Sequence, residues 1–413
     1  MAPAATVKVT IRFATGPSFG VTLVLDDAAS PLDTGTLGTT AARAVDVTSN
    51  VQQISTRRGR SRVLDTFEGG TAYIRLIDTD GTFDPDNGTY AGDIKPMIQV
   101  QVTATHGGSE RTLFSGYVED WEYTYRQDVD AAYVNISAVD GERLLNLSSV
   151  TSVAGTSAGQ DTGARIDDIL DAVSWPSSSR TIDTGNTTVQ DDDGSSRTTL
   201  AALRNMATTE IGGFYMTADG KARFRGRHDT IKTADGTPTA FDDTGSGIPF
   251  VALDFSTDDA VLANNVTITR TGGAAQNAQD ADSIASFFDR VLTRTGLSME
   301  TDGDALEYAR AILATRKDSD LRIKAVTIDP TADVTATVNA SLDTDFFDPI
   351  KVTRTQPGGG TVARTMIVQG IQHDITPARW LTTFNTGEPL VDGMILDSVS
   401  RGKLDDAASI LAY

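Results

Sequence analysis

From residue 6 to about 148 the chain alternates apolar and polar residues in short runs. "VKVTIRF" puts Val7, Val9, Ile11 and Phe13 on one face, the period of a half-buried strand. "TAYIRLI", "MIQVQVTA", "RTLFSGYVEDWEYTY" and "AAYVNISAV" repeat the pattern between clusters of Gly, Asp, Asn and Pro. Strands rich in β-branched and aromatic residues, separated by turn residues, predict an antiparallel barrel or sandwich over residues 1–148.

The period then changes. After the Ser/Gly/Thr-rich stretch 148–163, "ARIDDILDAVSW" spaces Ile166, Ile169, Leu170 and Val173 as one face of a helix, with Pro176 beyond its end. "TTLAALRNMATTEIGG" predicts a second helix stopped by Gly212–Gly213, and "FYMTADGKARFRGR" predicts a hairpin. Residues 149–246 thus read as a small α+β domain with amphipathic helices. Strands at "NNVTITRT", "LRIKAVTI", "IKVTRT", "TMIVQGIQ" and "WLTTFN" predict a second antiparallel β-barrel over 247–390. Two helices, "DADSIASFFDRVL" and "DGDALEYARAILATRK", are inserted in it at 281–317, the second with Leu306, Ala309, Ile312 and Leu313 on one stripe. Residues 391–413 form a polar tail. The expected class is α+β, mainly β, with two barrels bracketing the α+β region.

The chain also echoes itself. "FSGYVEDW" (Phe114–Trp121) and "VQGIQHDI" (Val368–Ile375) share one layout, with Gly116 matching Gly370. Each is preceded by a strand opened by proline, at Pro96 and Pro349, although these two differ by one residue in register. A duplicated barrel would produce this pattern.

Composition narrows the function. Among 413 residues, 56 are Asp or Glu and 35 are Lys or Arg, for a formal charge of −21. That field repels phosphate backbones and disfavours stable nucleic-acid binding. With no cysteines, disulfides, thiolate metal sites and cysteine nucleophiles are excluded. No apolar window is long enough to span a membrane and the N-terminus lacks a signal-peptide pattern, so the expectation is a soluble chain without a membrane anchor, made in a cytoplasm.

"LIDTDGTFDPDNGTY" (76–90) concentrates Asp78, Asp80, Asp84 and Asp86, yet from Asp78 the calcium-loop template meets Thr82, Phe83 and Thr89 where it needs a carboxylate, Gly and Glu. Asx turns explain the segment without a metal. Asp191–Asp193 lie in a polar loop with nothing apolar to raise a carboxyl pKa. His106, His228 and His373 stand singly and read as surface or hairpin residues, and no phosphate loop or nucleophile elbow is present. The arginine cluster "TRRGRSR" (56–62), with Arg57, Arg58 and Arg60, reads as a solvated hairpin tip around Gly59 or as a contact for an acidic partner surface. No catalytic residue, metal site or cofactor is expected.

"RGRSRVLDTFEGGTAYIRLIDTDGTFDP", followed by "LFSGYVEDW", "VNISAVDGERLL", "ARIDDILDAV", "EIGGFYMTADGKARFRGR" and "MILDSVSRGKLD", resembles the tail-hub (minor tail) proteins of tailed bacteriophages. These are similar to baseplate hubs and to the N-terminal part of tail-associated lysins. The resemblance implies a structural, non-enzymatic virion protein at the phage tail tip, assembled in the bacterial host cytoplasm. It implies a homotrimer whose six barrels form a pseudo-sixfold ring around the DNA channel. The implied partners are the distal tail or tube ring, the tape measure protein and the tip or fibre proteins that bind the receptor. Subunit-contact loops are then expected at Arg57, Arg58, Arg60, Asp78, Asp80, Asp84 and Asp86. The alternatives are a cell-wall-binding or hydrolysing tip protein using Asp191–Asp193, and the hub of a contractile injection system.

Overall fold

The computed structural model describes residues 5–13, 43–61, 66–126, 131–234, 236–256, 261–318, 322–332 and 335–388; the expected tail 391–413 lies outside them. The alternating N-terminal segments form β1 (Thr6–Phe13), β2 (Arg43–Asp46), β3 (Val51–Gly59), β4 (Glu68–Asp78), β5 (Gln99–His106), β6 (Ser109–Arg126) and β7 (Ala131–Val139). They pair antiparallel in the order β3-β4-β7-β6-β5-β1-β2. In β4 the residues Ala72, Ile74 and Leu76 turn inward and Thr71 and Tyr73 outward, as the period of two requires. Their core is continuous from Val9 and Phe13 through Ile74 to Val134 and Ile136.

The α+β region follows with α1 (Glu142–Leu147), α2 (Thr162–Ala172), β8 (Arg180–Ile182), α3 (Thr199–Glu210), β9 (Gly213–Met216), β10 (Ala222–Arg225) and α4 (Arg227–Ala234). Asp161 caps α2 by accepting from the Ala164 N–H, and Ile166, Ile169 and Leu170 bury against α3. The end of α3 departs from expectation. Ile211, not glycine, takes the left-handed position at φ 58°. The two glycines serve close approach instead: a Cβ at Gly212 would lie 2.3 Å from the Arg225 carbonyl, and one at Gly213 would lie 2.9 Å from the Phe67 and Phe347 rings.

The remaining elements are β11 (Thr239–Asp242), β12 (Ala252–Ser256), β13 (Asn265–Arg270), β14 (Gln276–Gln279), α5 (Ala281–Phe287), β15 (Val291–Leu297), α6 (Asp302–Arg316), β16 (Arg322–Ile328), α7 (Thr335–Asp343), β17 (Pro349–Thr355), β18 (Thr361–Thr376) and β19 (Arg379–Gly387). Residues 265–316 do not belong to the second β region as helices inserted among its strands. β14-β13-β15 form a separate three-stranded sheet, covered by α6 through Ala305, Tyr308, Ala309 and Ile312, with its own core. The helix expected over 280–292 ends at Phe287, because Phe288 turns to φ 61° and the β-branched run beyond it pairs parallel with β13. The stripe of α6 is rotated by one position from the expected one, leaving Leu306 only partly buried. Its start carries a full capping box between Thr301 and Asp304.

The two β regions are one sheet rather than two separate ones. β3 pairs antiparallel with β18, so the 13-stranded sheet has the order β12-β16-β19-β18-β3-β4-β7-β6-β5-β1-β2, with β17 also pairing β18 and β11 pairing β17 in parallel. Among the described residues the chain is therefore mainly β, built on a large antiparallel sheet.

The internal echo is also clarified. β6 pairs β5 up to Tyr117 and β7 from Tyr117 onward, with a register shift between Val118 and Asp120. β18 pairs β17 up to Ile367 and β19 from Ile367 onward, with a shift between Val368 and Gly370. Ahead of each, a non-glycine residue at positive φ donates to the strand: Met97 (φ 68°) to Val118 O and Phe347 (φ 70°) to Val368 O. Every such pair is 250 positions apart (97 to 347, 117 to 367, 118 to 368). The duplication of this bulged three-stranded unit is real in the structure, but its register differs from the sequence match. Gly116 and Gly370 are 254 positions apart and are not equivalent.

Candidate functional site

The seam between the two β halves is built by the arginine cluster. Arg57 and Arg58 lie within β3, not at a hairpin tip, and Gly59 ends it at φ 97°. Arg58 is 8% exposed; its guanidinium sits 5.1 Å above the Phe346 ring and 3.6 Å from Asp345 Oδ1. Arg60 is 4% exposed, donates from Nε to Gln369 Oε1 at 2.6 Å, and stacks 4.5 Å over Phe67. Arg57 alone points outward, toward Glu68 at 3.3 Å. The solvated tip read from the sequence is thus corrected. Arg60 is held by the Gln369 side-chain oxygen and the Phe67 face, whereas Arg58 meets the Phe346 face and the Asp345 charge while its Nη1 lies buried without a hydrogen-bond partner, so a planar guanidinium is used at its face as well as its edge.

Around this seam the α+β region meets both halves. Phe67, Tyr215, Phe346 and Phe347 form one aromatic cluster, with Phe67–Tyr215 centroids at 5.0 Å and Tyr215–Phe346 edge-to-face at 4.9 Å. Arg225 donates to the Phe346 carbonyl at 3.1 Å. Two buried carboxylates lie beside the cluster. Asp140 accepts from the Gly70 and Glu142 N–H groups, and Glu142 pairs with Arg204 at 2.7 Å. Burial pushes Asp140 up to about 6, against those N–H donors and the Arg58 charge. Burial and the Asp140 charge push Glu142 up to about 8. A 260 Å³ cleft opens next to them, lined by Arg60, Phe67, Arg204, Phe214, Arg294 and Leu297 among others.

The aspartates of 76–90 form two nested turns. Asp78, 4% exposed, accepts from the Thr82 and Phe83 N–H groups at 3.0 and 2.9 Å. Asp84 Oδ1 accepts from the Asp86 and Asn87 N–H groups, which holds its carboxyl below the ordinary value. These turns carry Phe83 into the core against Tyr90, which stacks on Phe13 at 4.3 Å. Asp80, Asp84 and Asp86 remain at the surface, and Tyr125 donates to Asp84 Oδ2 at 3.4 Å. Among the described residues no cluster of three metal-ligating side chains occurs.

Asp191 accepts from the Ala158 N–H, Asp192 pairs with Arg197 at 2.7 Å and Asp193 accepts from the Ser195 N–H. His373 corrects the surface reading. It is 3% exposed within β18, with Nδ1 3.1 Å from Thr382 Oγ1 and the ring against Trp380. Burial, with Arg58 adding, brings its pKa down to about 3, so the ring stays neutral. His106 ends β5 at a turn and His228 lies in α4. The sequence reading missed Phe346, Phe347, Asp140 and Glu142. The "FFD" after α7 also occurs at 287–289, where Phe288 is exposed, so the motif did not by itself mark the cluster.

No family model matches the sequence, and no curated protein matches it. Solved structures do. The tail protein from Neisseria meningitidis MC58 superposes with a TM-score of 0.60 at 11% identity, covering 94% of this chain and 98% of that one. The prophage MuSo2 43 kDa tail protein from Shewanella oneidensis superposes with a TM-score of 0.52 at 14% identity, covering 93% and 97%. Over nearly its whole length, this chain has the fold of phage-type tail proteins.

Proposed function

We propose that this chain is a structural component of a bacteriophage tail: a homotrimeric hub at its distal end, joining the sixfold tube or distal ring to the threefold tip. One observation carries the reading. The same bulged three-stranded unit occurs twice at a fixed spacing of 250 residues (97 to 347, 117 to 367), and both copies belong to one continuous sheet. Three chains with two such units each present six similar elements, which is how a threefold object can meet a sixfold ring. The full-length likeness to two tail proteins supports the same reading.

The mechanism is geometric. The seam and its aromatic junction hold the two units of one chain rigidly, so that six units can close around the DNA path as barrel-like walls. The −21 charge keeps those walls from adsorbing DNA. The chain performs no catalysis in this reading, and its partners are the tube or distal ring, the tape measure protein and the tip or fibre proteins. The test is electron microscopy of tails labelled with antibody against this chain. Label at the distal end supports the reading, whereas label along the shaft or on the capsid refutes it.

A further inference from the structure

We infer that copies of this chain join by strand addition: β12 of one copy pairs antiparallel with the Asp120–Tyr125 stretch of β6 in the next. The inference rests on the reading of the chain as an assembling tail component and deepens it by naming the surfaces and their register.

One such contact is already made inside the chain. β3 adds to β18, pairing Ile54–Gly59 with Ile375–Gly370. By the spacing of 250, the stretch of β6 that corresponds to Gly370–Ile375 is Asp120–Tyr125. That stretch pairs with β7 on one side. On its other side β5 stops at Tyr117, and among the described residues no strand continues the ladder.

The counterpart of β3 is β12. Ile54 faces Ile74, which faces Ile136 on β7. Leu253 faces Val326, which faces Phe384 on β19. Ile136 and Phe384 are equivalent, because they are as far apart as Val139 and Gly387, which face Tyr117 and Ile367. β12 is the last strand of the described sheet on that side, with its outer edge open.

Among the described residues these two edges carry no strand, and each is the counterpart of a strand that already pairs with the other's counterpart. Transferring the register places Leu253 opposite Tyr125 and Asp254 opposite Thr124. The side chains agree with a covered surface. Tyr125 is 62% exposed and Val251, beside Leu253, is 54% exposed, while Tyr123 and Phe255 are half-buried along the same two edges. Exposed Glu119, Asp120 and Glu122 follow the open edge of β6, where β18 has Gln369, Gly370 and Gln372. Carboxylates on an open edge discourage indiscriminate sheet addition. Because the two edges differ, the contact is head-to-tail and repeats until a ring closes.

The wild-type chain has no cysteine, so disulfide trapping is clean. Directly opposed residues of an antiparallel pair have Cα atoms about 4.5–5.5 Å apart, within disulfide range. The chain carrying both Leu253→Cys and Tyr125→Cys is expected to give covalent oligomers on mild oxidation. Either single variant should stay unlinked, and the two singles mixed should give a dimer only. Single variants that cross-link as well as the double, or a double variant that yields no covalent oligomer at high protein concentration, overturn the pairing. Val251→Lys with Tyr125→Lys, both at exposed positions, should shift light-scattering mass to the monomer; an unchanged oligomer also overturns it. If cross-linking fails while antibody still marks the tail tip, the strand pairing falls and the tail reading stands.

Discussion

Replacing Gly59 with alanine tests the physical account of the seam. Two costs coincide at this residue. Its φ of 97° is a conformation L side chains avoid, and a Cβ there would lie 2.4 Å from the Gln369 carbonyl and 2.6 Å from Gly370 Cα. The backbone term is about 1–2 kcal/mol, and forcing an extra carbon into a packed site adds about 1–3 kcal/mol. Both neighbours are backbone of β18, so relief requires the two β halves to separate locally, and the expected loss is about 2–5 kcal/mol. Two controls divide the terms. Gly107 has φ 56° with nothing within 4 Å, so Gly107→Ala should cost about 1 kcal/mol, from strain alone. Gly116 lacks positive φ but its Cβ would meet the Val139 carbonyl at 2.4 Å, isolating the packing term. Urea unfolding followed by tryptophan fluorescence reads the midpoints, at unchanged slope. If Gly59→Ala loses no more than Gly107→Ala, the seam is not tightly packed and the reasoning fails.

Other perturbations probe the junction. Glu142 has its folded pKa raised to about 8, so the stability it contributes is present below its unfolded value and lost as pH rises through 8. Glu142→Gln should remove this alkaline loss, and a wild-type stability profile flat between pH 5 and 9 would refute it. His373 has the opposite sense. With its folded pKa lowered to about 3, the folded state binds fewer protons than the unfolded one, and stability falls as pH drops from 6.5 toward 3. His373→Gln should flatten that acid limb by up to one proton's worth of slope, measured as denaturation midpoint against pH. Phe346 is 1% exposed between Phe67, Tyr215 and Arg58; Phe346→Ala should cost about 3–5 kcal/mol in the same assay. A loss under 1 kcal/mol would mean that the cluster does not hold the junction.

Local features were legible in the sequence because their causes are local. The alternation of Val9, Ile11 and Phe13 depends only on the period of a strand, and the turns at Asp78 and Asp84 depend on side chains reaching N–H groups a few residues away. Helices α2 and α3 of the α+β region and its hairpin follow from the same kind of rule. Where local preference was balanced, the environment decided. Residues 291–297 became a strand because β13 offered a partner, and Ile211 took the left-handed position because Gly212 and Gly213 were needed where the backbone approaches Arg225 and two phenylalanine rings.

The sequence by itself therefore determined most strands and the helices α2, α3 and α6, the apolar face of each alternating strand, and an internal echo between the two β regions. Only the tertiary structure decided which strand lies beside which. A period of two names a strand's faces but not its neighbours, and the Arg60–Gln369 bond that fastens the seam joins residues 309 positions apart. For the same reason the arginine cluster looked like a surface turn until Phe67, Phe346 and Gln369 were brought around it from distant parts of the chain. The register of the duplication followed too, because a bulge and a positive φ are properties of paired backbones that side-chain identity records only loosely.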